Sequence, residues 1–284
     1  MAINRVHSSD TQLFVDGQRI PAVQSLTFSS EKNQNRLARL GVAHLTETIL
    51  GPNQATIVDY SILLTTGATG IDPFYSYQQM QSGFLSTGSF KFEKKDVAGV
   101  STVSGATLTS YSVEGAVGSL AKGNSSYRGD GEIFTSAGAL TTESTDEFGG
   151  FFAPQDITVS TEVGAAGKEG VSSDELHIQD FSISVSIDKE PITRLGTRVP
   201  ITRYPSTENA GSLQFNMIKN KVTGLDISAL VCETGVIKID LKDDDGNSVM
   251  DFVTSGCCLE SVDESTALDD NTMISFSYYF PIIQ

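Results

Sequence analysis

The chain has no tryptophan, only three histidines and three cysteines, and no apolar run near the ~18 residues that cross a bilayer. The absence of tryptophan argues against a sugar-cleaving site, because such sites come with aromatic platforms, so acidic pairs such as Glu47 with Asp59 or Glu260 with Asp263 read as solvated carboxylates. His7, His44 and His177 stand apart, with no HExxH or HxH spacing to bind a metal. Cys232, Cys257 and Cys258 are odd in number and lack paired CxxC spacing, so they read as reduced, partly buried thiols. Basic residues are scarce as well. Nineteen Lys and Arg stand against 35 Asp and Glu, a net charge of −16, which excludes a protein that grips nucleic acid by neutralising phosphates. The start MAINRVHSSD lacks the basic-then-apolar order of a signal peptide, so the expectation is a soluble chain made in a cytoplasm, with no membrane anchor.

What the chain has is β-sheet composition: 26 glycines, abundant Ser and Thr, and 39% apolar residues against 19% charged. Alternation of apolar and polar residues recurs throughout. It puts Val58, Tyr60, Ile62 and Leu64 on one strand face, and does the same for Phe181, Ile183, Val185 and Ile187, for Leu213, Phe215 and Met217, for Ile237, Ile239 and Leu241, and for Ile274, Phe276, Tyr278 and Phe280. Asp16-Gly17 reads as the two-residue turn of an opening hairpin over residues 11 to 23, and Asp245-Gly246 as a second turn. Helix candidates are limited to Tyr75–Leu85 and Asp226–Glu233.

The chain also resembles itself. Arg39-Leu40-Gly41 returns as Arg194-Leu195-Gly196, an offset of 155 (194 − 39), and Leu26, Phe28, Val58, Tyr60 and Ile62 then fall on Phe181, Ile183, Leu213, Phe215 and Met217 without a gap. A slip of one residue would invert every strand face, so the shared register carries the inference. Thr87 to Asp96 pairs with Thr234 to Asp243 at an offset of 147 (234 − 87), with five of ten positions identical, which places an insertion near 65–86. Ser112-Val113-Glu114 against Ser261-Val262-Asp263 is a third anchor, and the copies are expected to end in strands around Glu132-Ile133-Phe134 and Ser275 to Phe280. The expected organisation is a first β unit over 1–140, a linker over 141–154 and a second β unit over 155–284.

No catalytic, cofactor-binding or metal-ligating constellation emerges. The glycine-rich stretch Gly67 to Gly70 lacks the Gly-Lys-Ser/Thr of a phosphate loop, and no GxSxG elbow is present. Asp243-Asp244-Asp245-Gly246-Asn247 raises a calcium site, but its glycine is fourth where the EF-hand frame needs it sixth, so it reads as a turn. Lys91, Lys94 and Lys95 beside Glu93, and Arg194, Arg198 and Arg203, read as ion-pair partners within the chain or across an interface.

Three segments carry a family resemblance: Val23-Gln24-Ser25-Leu26-Thr27-Phe28 before Leu40-Gly41, its echo Ile178 to Ile183 before Leu195-Gly196, and Leu108-Thr109-Ser110-Tyr111-Ser112-Val113-Glu114-Gly115. They resemble the major tail (tail tube) proteins of bacteriophages. The second copy departs from the pattern, with Leu259-Glu260-Ser261-Val262 where the first has Ser110-Tyr111-Ser112-Val113. The resemblance implies an all-β chain with minor α content, built from two tandem tube-like β-sandwich or barrel units. It further implies a virion protein assembled in the host cytoplasm, whose copies close rings that stack into a hollow tube conducting genomic DNA. Its partners would be its own copies, as a trimeric pseudo-hexamer or a hexamer, and possibly sheath, baseplate or neck proteins. An acidic wall would let DNA slide without binding. A tail-completion or baseplate ring of the same fold is the near alternative; a monomeric β-sandwich binding module or adhesin is the distant one, and an enzyme has the least support.

Overall fold

The computed structural model describes residues 11–31, 34–37, 47–50, 55–65, 89–96, 99–137, 151–152, 157–163, 178–196, 200–205, 210–218, 235–242, 245–266 and 272–282. Every regular element among them is a β-strand. The two helix candidates, all three histidines, Cys232, Arg198, Asp243 and Asp244 lie outside the described residues.

The first half comprises β1 (Gln12–Val15), β2 (Gln18–Arg19), β3 (Val23–Glu31), β4 (Gln34–Leu37), β5 (Glu47–Leu50), β6 (Ala55–Leu63), β7 (Phe90–Asp96), β8 (Gly99–Ala116), β9 (Lys122–Asp130) and β10 (Phe134–Ser136). The second comprises β11 (Ile157–Val163), β12 (Ile178–Ser186), β13 (Lys189–Ile192), β14 (Thr202–Pro205), β15 (Ala210–Ile218), β16 (Gly235–Lys242), β17 (Ser248–Ser255), β18 (Cys258–Ser265) and β19 (Met273–Pro281). The opening hairpin forms as expected. Asp16 and Gly17 take φ of 50° and 84°, the pair of left-handed residues that lets a two-residue turn follow the strand twist. Gly246, with φ of 82°, serves the turn between β16 and β17.

One antiparallel path runs β3-β6-β9-β8-β12-β15-β19-β18. Alternation turns Val58, Tyr60, Tyr127, Val113, Ile183, Leu213, Phe276 and Tyr278 to one face, where each is buried. Burial of side chains this large contributes about 1.5–3 kcal/mol apiece. Against that face pack β1 and β7, which bring Leu13, Val15 and Phe92, and β16, which brings Ile237, Ile239 and Leu241, into one continuous core. β8 is 18 residues long because it serves both layers: its first half pairs with β7 and its second with β9 and β12.

The registers recur along the chain. β3 meets β6 with Val23 opposite Ile62 and a bulge between Val23 and Ser25, and β12 meets β15 with Ile178 opposite Met217 and a bulge between Ile178 and Asp180, each residue 155 further on (178 − 23, 217 − 62). The hairpins β4–β5 and β13–β14 keep the same offset, with Gln34 opposite Leu50 and Lys189 opposite Pro205. β8 and β9 place Leu108 opposite Tyr127 beside a bulge, and β18 and β19 place Leu259 opposite Tyr278 beside another, at an offset of 151 (259 − 108, 278 − 127). Gly105 and Gly256, also 151 apart, have φ of 69° and 70°.

Sheet register revises two of the expected matches between the halves. A strand does form at the expected end of the first half, β10 from Phe134, but the strand that stands where β19 stands is β9, Lys122–Asp130: β9 pairs with β6 as β19 pairs with β15. The equivalent of Ser261 by sheet register is Ser110, two residues before the sequence-matched Ser112. A two-residue slip leaves every side chain on its own face, so the apolar pattern cannot detect it. Of the segment 141–154 only Phe151 and Phe152 are described; Phe152 is fully buried, donates its N–H to the Leu64 carbonyl and accepts from the Ala121 N–H.

A hydroxyl-lined sheet face as candidate functional site

The face of the long sheet opposite the core is built from the other half of the same alternation. Along one cross-strand row, Ser25 on β3 stands opposite Ser61, then come Asn124, Ser112, Ser184 and Ser212 on successive strands. At about 4.8 Å per strand this row of short polar side chains runs roughly 24 Å. The neighbouring row reads Thr27, Asp59, Ser126, Ser110 and Ser186. Together the two rows floor a shallow open trough.

The side chains satisfy one another laterally. Ser25 Oγ and Ser61 Oγ lie 2.6 Å apart, as do Ser184 Oγ and Ser212 Oγ at 2.7 Å. Asn124 Nδ2 donates to Ser112 Oγ at 3.2 Å, and Ser126 Oγ donates to Asp59 Oδ1 at 2.5 Å. Next to these rows Asn216 Nδ2 donates to Asp180 Oδ1 at 2.7 Å. Charge on the face is mainly acidic: Asp59, Glu114, Asp180 and Asp263 stand against Lys122 and Arg128. Such a wall lacks the cation array that holds phosphates, and its one aromatic along this row is at the margin, where Tyr279 on β19 stands opposite Ser212 and is 46% exposed.

The candidate residues of the sequence are scattered over this frame. Asp59 lies on the hydroxyl-lined face, while Glu260 accepts a hydrogen bond from Ser277 at 3.5 Å, far along the sheet. Lys91 pairs with Glu93 at 2.5 Å, Lys94 with Asp96 at 3.5 Å, and Lys95 lies 3.8 Å over the Phe14 ring, so the basic cluster is engaged within the chain. Asp245 and Asn247 sit in the turn before β17, and among the described residues no three His, Cys, Asp or Glu side chains converge as a metal site. Cys257 and Cys258 are buried; burial pushes the Cys257 thiol up, and its sulfur lies 3.0 Å from Thr254 Oγ1.

One buried polar cluster had no sequence signal beyond its charges. Arg203 on β14, 8% exposed, donates through Nε to the Asp130 carboxylate at 3.0 and 3.2 Å and is also bonded to it through Nη2, tying the β13–β14 hairpin to the end of β9. Lys189 on β13, 7% exposed, is lowered to about 8 by burial and then by the nearby Arg203 charge.

An all-antiparallel β protein with a continuous hydroxyl-bearing face is the class that fold and site define. No protein-family model and no curated protein matches the chain. Among solved structures it is similar to the Dit protein of phage SPP1, described as a paradigm of the hub adsorption apparatus in phages infecting Gram-positive bacteria, with 13% identity over 95% of this chain and 99% of that one. The TM-score is 0.24, and a likeness of that size carries no argument for this chain.

Proposed function

We propose that this chain is a structural protein of a phage tail: a tandem of two like β units whose copies assemble into rings, with the hydroxyl-lined sheet face turned to the duct through which DNA passes. The observation that carries the reading is that face, a row of six small polar residues over six strands with a mainly acidic margin. A duct must avoid binding what it conducts. Carboxylates repel phosphates, and side-chain hydroxyls that already bond one another have little to gain from a passing polymer. The net charge of −16 and the tail-protein resemblance of the segments around Leu26, Phe181 and Tyr111 support the same reading. The partners are further copies of the chain and the tail components that meet a tube, and the site of action is the virion.

Negative-stain microscopy of the purified protein tests this. Extended hollow tubes are the expected result. Isolated rings would move the protein to a tail-completion or baseplate role, and monodisperse small particles at high concentration would overturn the assembly reading in favour of a monomeric binding module.

A further inference from the structure

The sheet path has two ends, and the junction at its middle shows how they fit. β3, at one end, pairs only with β6 among the described residues, and β18, at the other, only with β19. At the centre β8 pairs antiparallel with β12, with Ser110 opposite Ser186, Ser112 opposite Ser184 and Glu114 opposite Ser182. By the matching registers, β18 stands in the second half where the end of β8 stands in the first, 151 residues earlier (261 − 110), and β3 stands where β12 does, 155 residues earlier (178 − 23). The chain therefore holds one example of a junction whose two halves recur at its own outer edges.

We propose that β18 of one copy pairs antiparallel with β3 of a second copy in the register of the β8–β12 junction: Ser261 opposite Glu31, Asp263 opposite Ser29, and Ser265 opposite Thr27 of the second copy. This names the partner surface for the assembly proposed above and rests on that reading, but not on the tube, since any head-to-tail ring or filament satisfies it. The burial of the two edges fits a missing neighbour. Phe181 and Ile183 on β12 are 4% and 0% exposed, whereas Leu26 and Phe28, at the same positions of β3, are only partly buried. Tyr111 on β8 is 1% exposed and its equivalent Val262 is 41% exposed. Side-chain volumes compensate across the junction: Gly115 lies against the Phe181 ring, where a Cβ would come within 2.7 Å, and the equivalent pair, Thr266 with Leu26, exchanges that small–large pair for two of middle size.

Glu264 marks β18 as an edge that is guarded. It occupies the position of buried Val113, on the core side of the strand opposite Ile274, and an inward-pointing charge on an edge is a device by which sheets resist indiscriminate pairing. The proposed register sets it against Phe28 of the second copy.

Site-directed crosslinking of the full-length protein tests the pairing. Thr27→Cys and Ser265→Cys are placed in one chain and treated with a short thiol-to-thiol reagent, with wild type as the control for Cys257 and Cys258. Denaturing gels should show a ladder of covalent oligomers, while mixing the two single variants should give dimers only. Thr27→Cys with Ser261→Cys, four residues (~13 Å) out of register, should give little. Particles that assemble but crosslink in neither the single-variant mixture nor the paired variant would overturn the edge pairing and leave the tail reading standing. Folded protein that never leaves the monomer would overturn both. As a second readout, Glu264→Val should lower the concentration at which assembly begins by several-fold; an unchanged or higher concentration counts against the pairing.

Discussion

The ring of Tyr60 lies stacked on that of Tyr127, 6.0 Å between centroids with planes 9° apart. Phe215 and Tyr278, at the corresponding positions of β15 and β19, stack at 5.6 Å and 15°. The same register on the same face gives the same aromatic contact, with Phe92 filling in 4.6 Å from Tyr127.

Tyr127→Ala should therefore cost about 3–5 kcal/mol in urea unfolding, the range for emptying a buried aromatic site. A double-mutant cycle of Tyr60→Ala with Tyr127→Ala should return a coupling of ~0.5–1.5 kcal/mol beyond the lost area. Additive losses would mean that the two rings merely share a core.

Arg203→Ala removes the partner of a carboxylate that keeps some solvent contact, since the Asp130 side chain is 18% exposed. The expected loss is roughly 2–4 kcal/mol, below the full cost of stranding a deeply buried charge. Replacing both residues by apolar ones of similar size should cost less than Arg203→Ala alone, measured by the same unfolding curves.

Lys189 gives a pH dependence of definite sign. Its amine falls from the ordinary 10.5 to about 8 because burial and then Arg203 disfavour the charged form. Below about pH 8 the lysine is protonated in folded and unfolded chains alike, and the native state bears the whole penalty. Between about 8 and 10.5 the folded chain gives up the proton first, so stability rises with pH. Lys189→Met should stabilise the protein at pH 7, on the order of 2 kcal/mol after solvent screening, and the gain over wild type should fade towards pH 10.5.

The duct reading predicts that positive charge introduced on the hydroxyl-lined face creates DNA binding where the wild type has none. Thr27→Lys, Asp59→Lys and Ser186→Lys all replace exposed residues of one row. The triple variant should retard DNA in a gel at low salt and lose that binding steeply as salt is raised. A folded triple variant with no retardation would argue that this face does not meet DNA.

Much of the fold was legible in the chain because a strand face is a local property. Val58, Tyr60 and Ile62, or Leu213, Phe215 and Met217, alternate with polar residues, and each is buried where the alternation puts it. Asp16-Gly17 announced its hairpin because few residue pairs accept two positive φ angles. The candidate face is written in the same alternation, in Ser61, Ser110, Ser112, Ser184 and Ser212, but nothing in the chain singles it out, because polar residues on the outer side of a strand are what any half-buried sheet shows.

Pairing was a different matter. The period of two in side-chain direction makes a two-residue slip invisible, so the sequence aligns Ser261 with Ser112 where the sheet register aligns it with Ser110, and it does not show that β9 rather than the strand at Phe134 is the counterpart of β19. Nothing local distinguishes β12, flanked on both sides, from β3, which stands at an edge among the described residues, since the alternation of Phe181 and Ile183 reads like that of Leu26 and Phe28. Sequence alone determined that this is a β protein and which residues its strands turn inward. Tertiary structure decided the register, the junction of β8 with β12, the Arg203–Asp130 tie and which strands, β3 and β18, lie at the sheet's edges among the described residues, because each depends on which distant strands meet, and backbone hydrogen bonds between strands carry no side-chain label.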